Sequence, residues 1–246
     1  MSDILGITEI SMNNDIQQLN IISHNIANAE TAGYKRDMAV VQPFEKYLTT
    51  NGTAGSELAY TSQKAQQPNI TGVTDYRMGS IKYTGNALDV VIEGDGFFEV
   101  TGTGGKVYTR DGRLALDASG KLVTKGGLTI NGTNGEIRLT TGSPFIDRQG
   151  SVWEGDQMVG QIKIVHFENP GALVKLGGGL FRGNGGVTVN SDQVSMRQGH
   201  VEASNVVTMD EMVNMISTMR HFETGQKVIK SYDDILDTAI RTLGDL

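Results

Sequence analysis

The chain has 246 residues, a net charge of −7 from 28 acidic and 21 basic side chains, and no cysteine. It is long enough for one or two packed domains. Disulfides and thiolate metal sites are excluded, and no basic excess favours nucleic acid. No stretch reaches the roughly 18 apolar residues of a membrane helix, so no membrane insertion is expected. Asp3 and Glu9 interrupt the apolar N-terminus, so a cleaved secretory signal is not expected either.

Composition is partitioned along the chain. Of the 32 glycines, 27 fall in residues 48–198, which predicts dense turns there. Residues 1–47 carry 6 acids and 3 bases, residues 199–246 carry 8 and 4, and the middle carries 14 of each, so the negative excess sits at the two ends.

Residues 3–29 are expected to form a helix, with Leu5, Met12, Ile16, Leu19, Ile22 and Ile26 on one stripe and Asn13, Asn14, Gln17, Gln18 and Asn20 largely off it. Ser2 or Asp3 can cap its start, and Thr31-Ala32-Gly33 offers a left-handed stop. Residues 35–47 read as partly extended around Val40-Val41. Residues 48–80, rich in Thr, Gly, Ser, Asn and Gln, read as an irregular arm.

From residue 81 onward strands and turns alternate. Residues 88–92 and 97–100 are strand candidates around Glu93-Gly94-Asp95-Gly96. Leu114–Leu116 and Leu122-Val123 flank Asp117-Ala118-Ser119-Gly120, a hairpin signal, and Asn131-Gly132 after Leu128-Thr129-Ile130 is another. Residues 159–167 are the longest strand candidate, and residues 171–190 read as glycine-rich loop. From Met209 to Leu243 the pattern is helical again over about 50 Å. Met215, Phe222, Ile229, Leu236 and Leu243 recur every seven residues, with Asp210 and Glu211 near the positive helix end.

These elements define an α+β chain with four expected stretches: a helix in 1–34, an irregular arm in 35–80, a mainly antiparallel β domain in 81–198, and a C-terminal helical stretch in 199–246. The two helices are expected to pair as a coiled-coil-like seam. Their stripes bury too little apolar surface to order about sixty residues unaided. Leu5, Met12, Leu19, Ile26, Met215, Phe222, Ile229, Leu236 and Leu243 are therefore the candidate assembly residues, packing within and between subunits.

Catalytic chemistry is thinly represented. His24, His166, His200 and His221 are widely separated and match no metal-binding spacing. The runs Gly177-Gly178-Gly179 and Gly183-Asn184-Gly185-Gly186 lack the Lys-Ser/Thr of a phosphate loop. Glu93, Asp95, Asp111 and Asp117 could supply a glycosidase pair, but acids in β-turns ordinarily satisfy local amides. No catalytic residue, cofactor or metal is expected.

Three separated segments carry a family resemblance. Ser23-His24-Asn25-Ile26-Ala27-Asn28-Ala29-Glu30-Thr31-Ala32-Gly33-Tyr34-Lys35 resembles the N-terminal signature of the bacterial flagellar axial proteins (rod, hook and hook-associated). Leu88-Asp89-Val90-Val91-Ile92-Glu93-Gly94-Asp95-Gly96-Phe97-Phe98-Glu99-Val100 is similar to the β-domain signature of the rod and hook proteins. Gln198-Gly199-His200-Val201-Glu202-Ala203-Ser204-Asn205-Val206 resembles the opening of the family's C-terminal helix.

The resemblance implies a non-enzymatic, self-assembling rod subunit. It would be exported unfolded through the flagellar export apparatus without a cleaved signal peptide and placed in the periplasm-spanning rod. Its partners would be other copies, neighbouring rod proteins, and hook-side rod and ring components. Asn25, Asn28 and Gly33 are expected to set the end of the first helix and the turn beyond it. Phe222-Glu223, Lys227-Val228-Ile229 and the ending Leu243-Gly244 lean toward the proximal kind of rod protein, with the distal rod or a hook-like axial protein of the same family as the alternative.

Overall fold

The computed structural model describes residues 2–41, 70–102, 104–190, 193 and 195–244. Two helices bracket the chain, α1 (Ser2–Ala27) and α2 (Thr208–Gly244). The strands, in chain order, are β1 (Asp37–Val41), β2 (Ile70–Thr74), β3 (Ile81–Tyr83), β4 (Val90–Ile92), β5 (Phe97–Gly102), β6 (Gly105–Thr109), β7 (Leu114–Leu116), β8 (Leu122–Thr124), β9 (Thr129–Gly132) and β10 (Gly135–Glu136). They continue with β11 (Phe145–Ile146), β12 (Ser151–Glu154), β13 (Gln157–Gln161), β14 (Ile164–His166), β15 (Val174–Gly177), β16 (Leu180–Arg182), β17 (Val187–Thr188), β18 (Met196–Gln198) and β19 (His200–Glu202).

The chain forms two compact units that regroup the four expected stretches. Among the described residues, one holds 2–27, 37–41, 70–73 and 207–244; the other holds 28–36 and those described between 74 and 206. The first contains α1, α2 and the β1–β2 ribbon. Residues 70–74, expected as part of an irregular arm, are a strand, because β1 offers its edge to them. Residues 42–69 of that arm lie outside the described residues.

The second unit is built on β5. One edge of β5 pairs with β6, from Phe98↔Thr109 to Gly102↔Gly105; the other pairs first with β14 (Phe97↔Val165) and then with β9 (Val100↔Ile130). Side chains alternate across a strand, so neighbours in β5 feed two separate clusters. Phe98 and Val100 enter the larger core with Val90, Leu122, Ile130 and Ile164. Phe97 enters an aromatic cluster with Tyr108, Phe167 and Phe181, its ring edge-on to Phe181 at 5.6 Å. The expected hairpin of β7 and β8 forms with Leu116 opposite Leu122.

Several expectations are corrected. Residues 159–167 are two strands, since β13 pairs with β12 while β14 turns to β5 and β17. The second hairpin turns at Thr133-Asn134, so Asn131 and Gly132 lie in β9, opposite Glu136 and Gly135. Residues 171–190 contain β15, β16 and β17 rather than loop alone. Residues 199–206 do not open a helix. His200–Glu202 pair with Tyr83–Ile81, and Ser204 Oγ accepts the Val206 amide at 3.2 Å in a local turn.

Candidate assembly site

In the first unit α1 and α2 run antiparallel, because position falls in α2 as it rises in α1. Met12 faces Gly225, Asp15 faces His221 and Asn25 faces Glu211. A Cβ added at Gly225 would lie 3.0 Å from Met12 Cγ, so the missing side chain lets the helices approach. Glu211 lies with Asp210 in the first turn of α2, as the sequence predicts, and is also buried, accepting from Asn25 Nδ2 at 3.3 Å. Asn25 also donates to Asp37 O at 2.8 Å and accepts from Asp37 N at 2.9 Å, so one amide completes both backbone groups where β1 begins. His221 Nδ1 is 2.7 Å from Asp15 Oδ2.

Of the candidate assembly residues, Leu5, Met12, Leu19, Ile26, Met215, Phe222 and Ile229 are half-buried, and Leu236 is exposed. The Leu243 side chain lies outside the described residues. Ile22 is buried more deeply than any of them, whereas Ile16 of the same expected stripe is exposed.

The sequence reading did not single out Met209, Met212, Val213, Ile216 and Met219. These recur at helical spacing, and all are exposed, by 47–71%. At 3.6 residues per turn they centre on a face of α2 turned by roughly 135° from the line of Glu211, Met215, Thr218, Phe222 and Gly225. Their signal was present as a three-and-four spacing beside the seven-residue line that drew attention first.

In the second unit, three segments converge on Glu202. Gly33 N donates to Glu202 O at 2.9 Å. Lys35 Nζ lies 2.5 Å from Glu202 Oε1 and also donates to Arg77 O at 2.9 Å. Gly79 N donates to Glu202 Oε1 at 3.0 Å, and Arg110 Nη1 reaches Glu202 Oε2 at 3.4 Å. Arg110 further donates to Gly94 O at 2.7 Å and lies over the Phe97 ring, while its buried Nε has no hydrogen-bond partner. Burial pushes the Lys35 ammonium below its ordinary value, opposed by Glu202; burial lowers Arg110 likewise, opposed by Glu202 and Asp95.

A second knot forms around Asn205. Its Oδ1 accepts Arg36 N at 2.8 Å, and its Nδ2 donates to Asp75 O at 2.9 Å and Arg77 O at 3.1 Å. Asp75 accepts from Arg77 Nη2 at 2.6 Å and Arg36 Nε at 3.3 Å, and chiefly the Arg77 hydrogen bond lowers its carboxyl to about 2. Lys175 Nζ lies 4.2 Å from the Tyr34 ring centroid and donates to Lys35 O.

The other motif residues have local roles. Asn28 closes a turn with Thr31 (Thr31 N to Asn28 O, 3.1 Å), and this turn, not Gly33, ends α1 at Ala27. Ala27 is exposed and Val206 half-buried. Leu88 packs on the larger core, and buried Asp89 accepts from Asn86 Nδ2 through its side chain and from Gly199 N through its carbonyl. Gly94, Gly96 and Gly199 all have positive φ. Three of the acids weighed for catalysis are engaged structurally. Glu93 pairs with Arg197 and accepts from Ser195, Asp111 holds Arg113, and Asp117 accepts the Ser119 and Lys121 amides.

Two antiparallel helices with apolar faces, and a β unit whose motif residues serve internal bonding, describe the class of a structural protein. Three family models match in chain order: "Flagella basal body rod protein" at residues 11–35, "Flagellar hook protein FlgE/F/G D1 domain" at 91–164, and "Flagellar basal body rod FlgEFG protein C-terminal" at 197–242. The chain is 30% identical to the flagellar basal-body rod protein FlgG of Bacillus subtilis, covering 93% of this chain and 94% of that one. It is 34% identical to FlgG of Buchnera aphidicola from Acyrthosiphon pisum (90% and 93% covered). It is 32% identical to FlgF of Mesorhizobium japonicum (93% and 92% covered). The chain belongs to the flagellar basal-body rod protein family, whose members are structural rod proteins rather than enzymes. No helix among the described residues is long and apolar enough to cross a membrane.

Proposed function

We propose that this chain is a structural subunit of the periplasm-spanning flagellar rod. It assembles through α1 and α2 with further copies and with neighbouring rod proteins, and transmits torque from motor to hook. The α1–α2 pair acts as a coiled-coil-like seam, and the candidate residues from Leu5 to Leu243 carry helix–helix packing within it or between subunits. The observation that carries this reading is the stripe of residues 209–219, which faces away from α1. Burying what remains exposed of each side chain is worth about 1 kcal/mol. Such a face gains little in a monomer and accumulates in a polymer, where each copy has several neighbours.

The chain is exported through the flagellar export apparatus, and the absence of cysteine suits an unfolded passage. Phe222-Glu223, Lys227-Val228-Ile229 and Leu243-Gly244 favour the proximal, FlgF-like position. Antibody labelling along isolated basal bodies tests that position.

The assembly reading is tested by Met212→Asp with Ile216→Asp. Both sites are exposed, so far-UV circular dichroism and Trp153 fluorescence should be unchanged, while recovery in isolated basal bodies and motility should be lost. Normal recovery of the double variant would reject the reading.

A further inference from the structure

Glu99 is a buried carboxylate on β5 for which helix assembly has no use. Asn131 Nδ2, on β9, donates to its Oε1 at 2.9 Å, and Lys163 Nζ, at the entry to β14, lies 3.3 Å from the same oxygen and 3.2 Å from Oε2. Lys106 Nζ, on β6 along the other edge of β5, is 3.3 Å from Oε1. Thr101 Oγ1, two positions on in β5, donates to Asn131 Oδ1 at 3.0 Å. These groups line one cavity of about 400 Å³ together with Gly132 and Gly135.

Lys163 and Asn131 are neighbours in the backbone as well, Lys163 N donating to Asn131 O at 2.9 Å. Here the edge of β5 changes partner from β14 to β9. An amine and a side-chain amide therefore share one carboxylate oxygen at a break in the pairing, and a hydroxyl is bonded to the amide carbonyl. Together they supply a nucleophile, a leaving group, a proton carrier and a donor for the oxygen that gains charge.

We infer that Lys163 and Asn131 join in an intramolecular isopeptide bond once the second unit has folded. Lys163 Nζ attacks Asn131 Cγ, the Cγ–Nδ2 bond breaks, and the nitrogen leaves. Glu99 carries two protons in turn from Nζ to the departing Nδ2 and ends as the carboxylate it was at the start. The lysine begins as ammonium and the released nitrogen departs as ammonium, so atoms and charge balance with no oxidant or cofactor. Thr101 holds the carbonyl oxygen while it is negative. Lys106 stays paired with Glu99, so the product strands no buried carboxylate. The bond closes a loop in a chain that has no cysteine for a disulfide, and fastens β9 to β14 where backbone pairing changes over. It belongs to the second unit alone and does not depend on the assembly reading.

The test follows intact mass in purified full-length protein, folded and held at about pH 9, where more of a lysine is neutral. The expected result is a species lighter by one ammonia, whose proteolysis yields a branched peptide joining Lys163 to Asn131. Lys163→Arg keeps a cation beside Glu99 and should stay at full mass. Thr101→Val, at an exposed strand position, should slow bond formation about tenfold or more. Glu99→Gln should slow it about a hundredfold or more, with Trp153 fluorescence reporting that each variant is folded. Full mass throughout in the folded parent would overturn the inference. So would an ammonia loss that persists in Lys163→Arg, which would mark a succinimide at Asn131-Gly132. Folded Thr101→Val and Glu99→Gln proteins that react as fast as the parent would overturn it too.

Discussion

Lys35 Nζ and Glu202 Oε1 are 2.5 Å apart, and both side chains are sealed from solvent. They are 167 positions apart in sequence, yet they belong to the N-terminal and C-terminal family signatures. The two signatures therefore meet as an ion pair, with Arg110 as a third charge. Removing Glu202 strands two buried cations. Glu202→Leu should cost the second unit about 3–5 kcal/mol, whereas Lys35→Met, which leaves Glu202 bonded to Arg110 and Gly79, should cost less. Trp153, the single tryptophan, lies in β12 of that unit, so its fluorescence in urea reports the unit by itself. Equal midpoints for the two variants would show that the charges are not coupled as the geometry requires.

Asp75 gives a pH signature. Its carboxyl is lowered from 3.8 to about 2, first by the hydrogen bond from Arg77, with the Arg77 amide and Arg36 assisting. A depressed folded-state value means that the ionised form stabilises the fold. That contribution is complete above the unfolded value and disappears as pH falls through the folded one. Asp75→Asn should therefore be less stable than the parent at about pH 5, and the difference should shrink as pH falls from about 4 to about 2. Comparing the two proteins cancels the other lowered carboxyls, such as Glu99. A pH-independent difference, followed by Trp153 unfolding, would assign the loss to packing instead.

Gly33 has φ of +68°, and a Cβ there would stand 2.4 Å from Arg110 C and 2.5 Å from Asp111 N. Both neighbours are backbone and cannot step aside. Gly33→Ala should destabilise the second unit by about 3 kcal/mol or more, combining left-handed strain with overlap. Gly126→Ala is the control, since only Thr124 Oγ1 lies within 4 Å, at 3.7 Å, and φ is not positive. Similar losses at the two positions would contradict this account.

Periodic apolar residues made both helices and the β7–β8 hairpin legible in the sequence, because their spacing is set by local geometry. What stayed hidden depended on partners distant in the chain. Residues 70–74 became a strand only because β1 was there to pair with. Residues 199–206 carried a signature ordinarily read as a helix opening, and β3 drew them into a sheet. Lys35, Glu202 and Asn205 were visible as motif letters, but their bonding was not, since no spacing rule joins positions so far apart. The stripe of residues 209–219 was readable in principle. It was overlooked beside the Met215–Phe222–Ile229 line because both are apolar, and only burial separates the face that meets α1 from the face that does not.

Gly225 tests how closely the helix pair depends on that first line. Replacing glycine by alanine inside a helix gains about 1 kcal/mol of propensity. The new Cβ would press on Met12 at 3.0 Å, but a thioether chain can rotate away. Gly225→Ala should therefore leave helix melting, followed by far-UV circular dichroism, unchanged or slightly raised. Gly225→Leu adds three further carbons where Thr8 Cγ2 and Met12 already lie within 4 Å. It should separate the helices at a cost of about 1–3 kcal/mol and speed amide exchange in α1 around residues 8–12. If the leucine variant exchanged as slowly as the parent, the approach of α1 to α2 at Gly225 would not be what holds α1 in place.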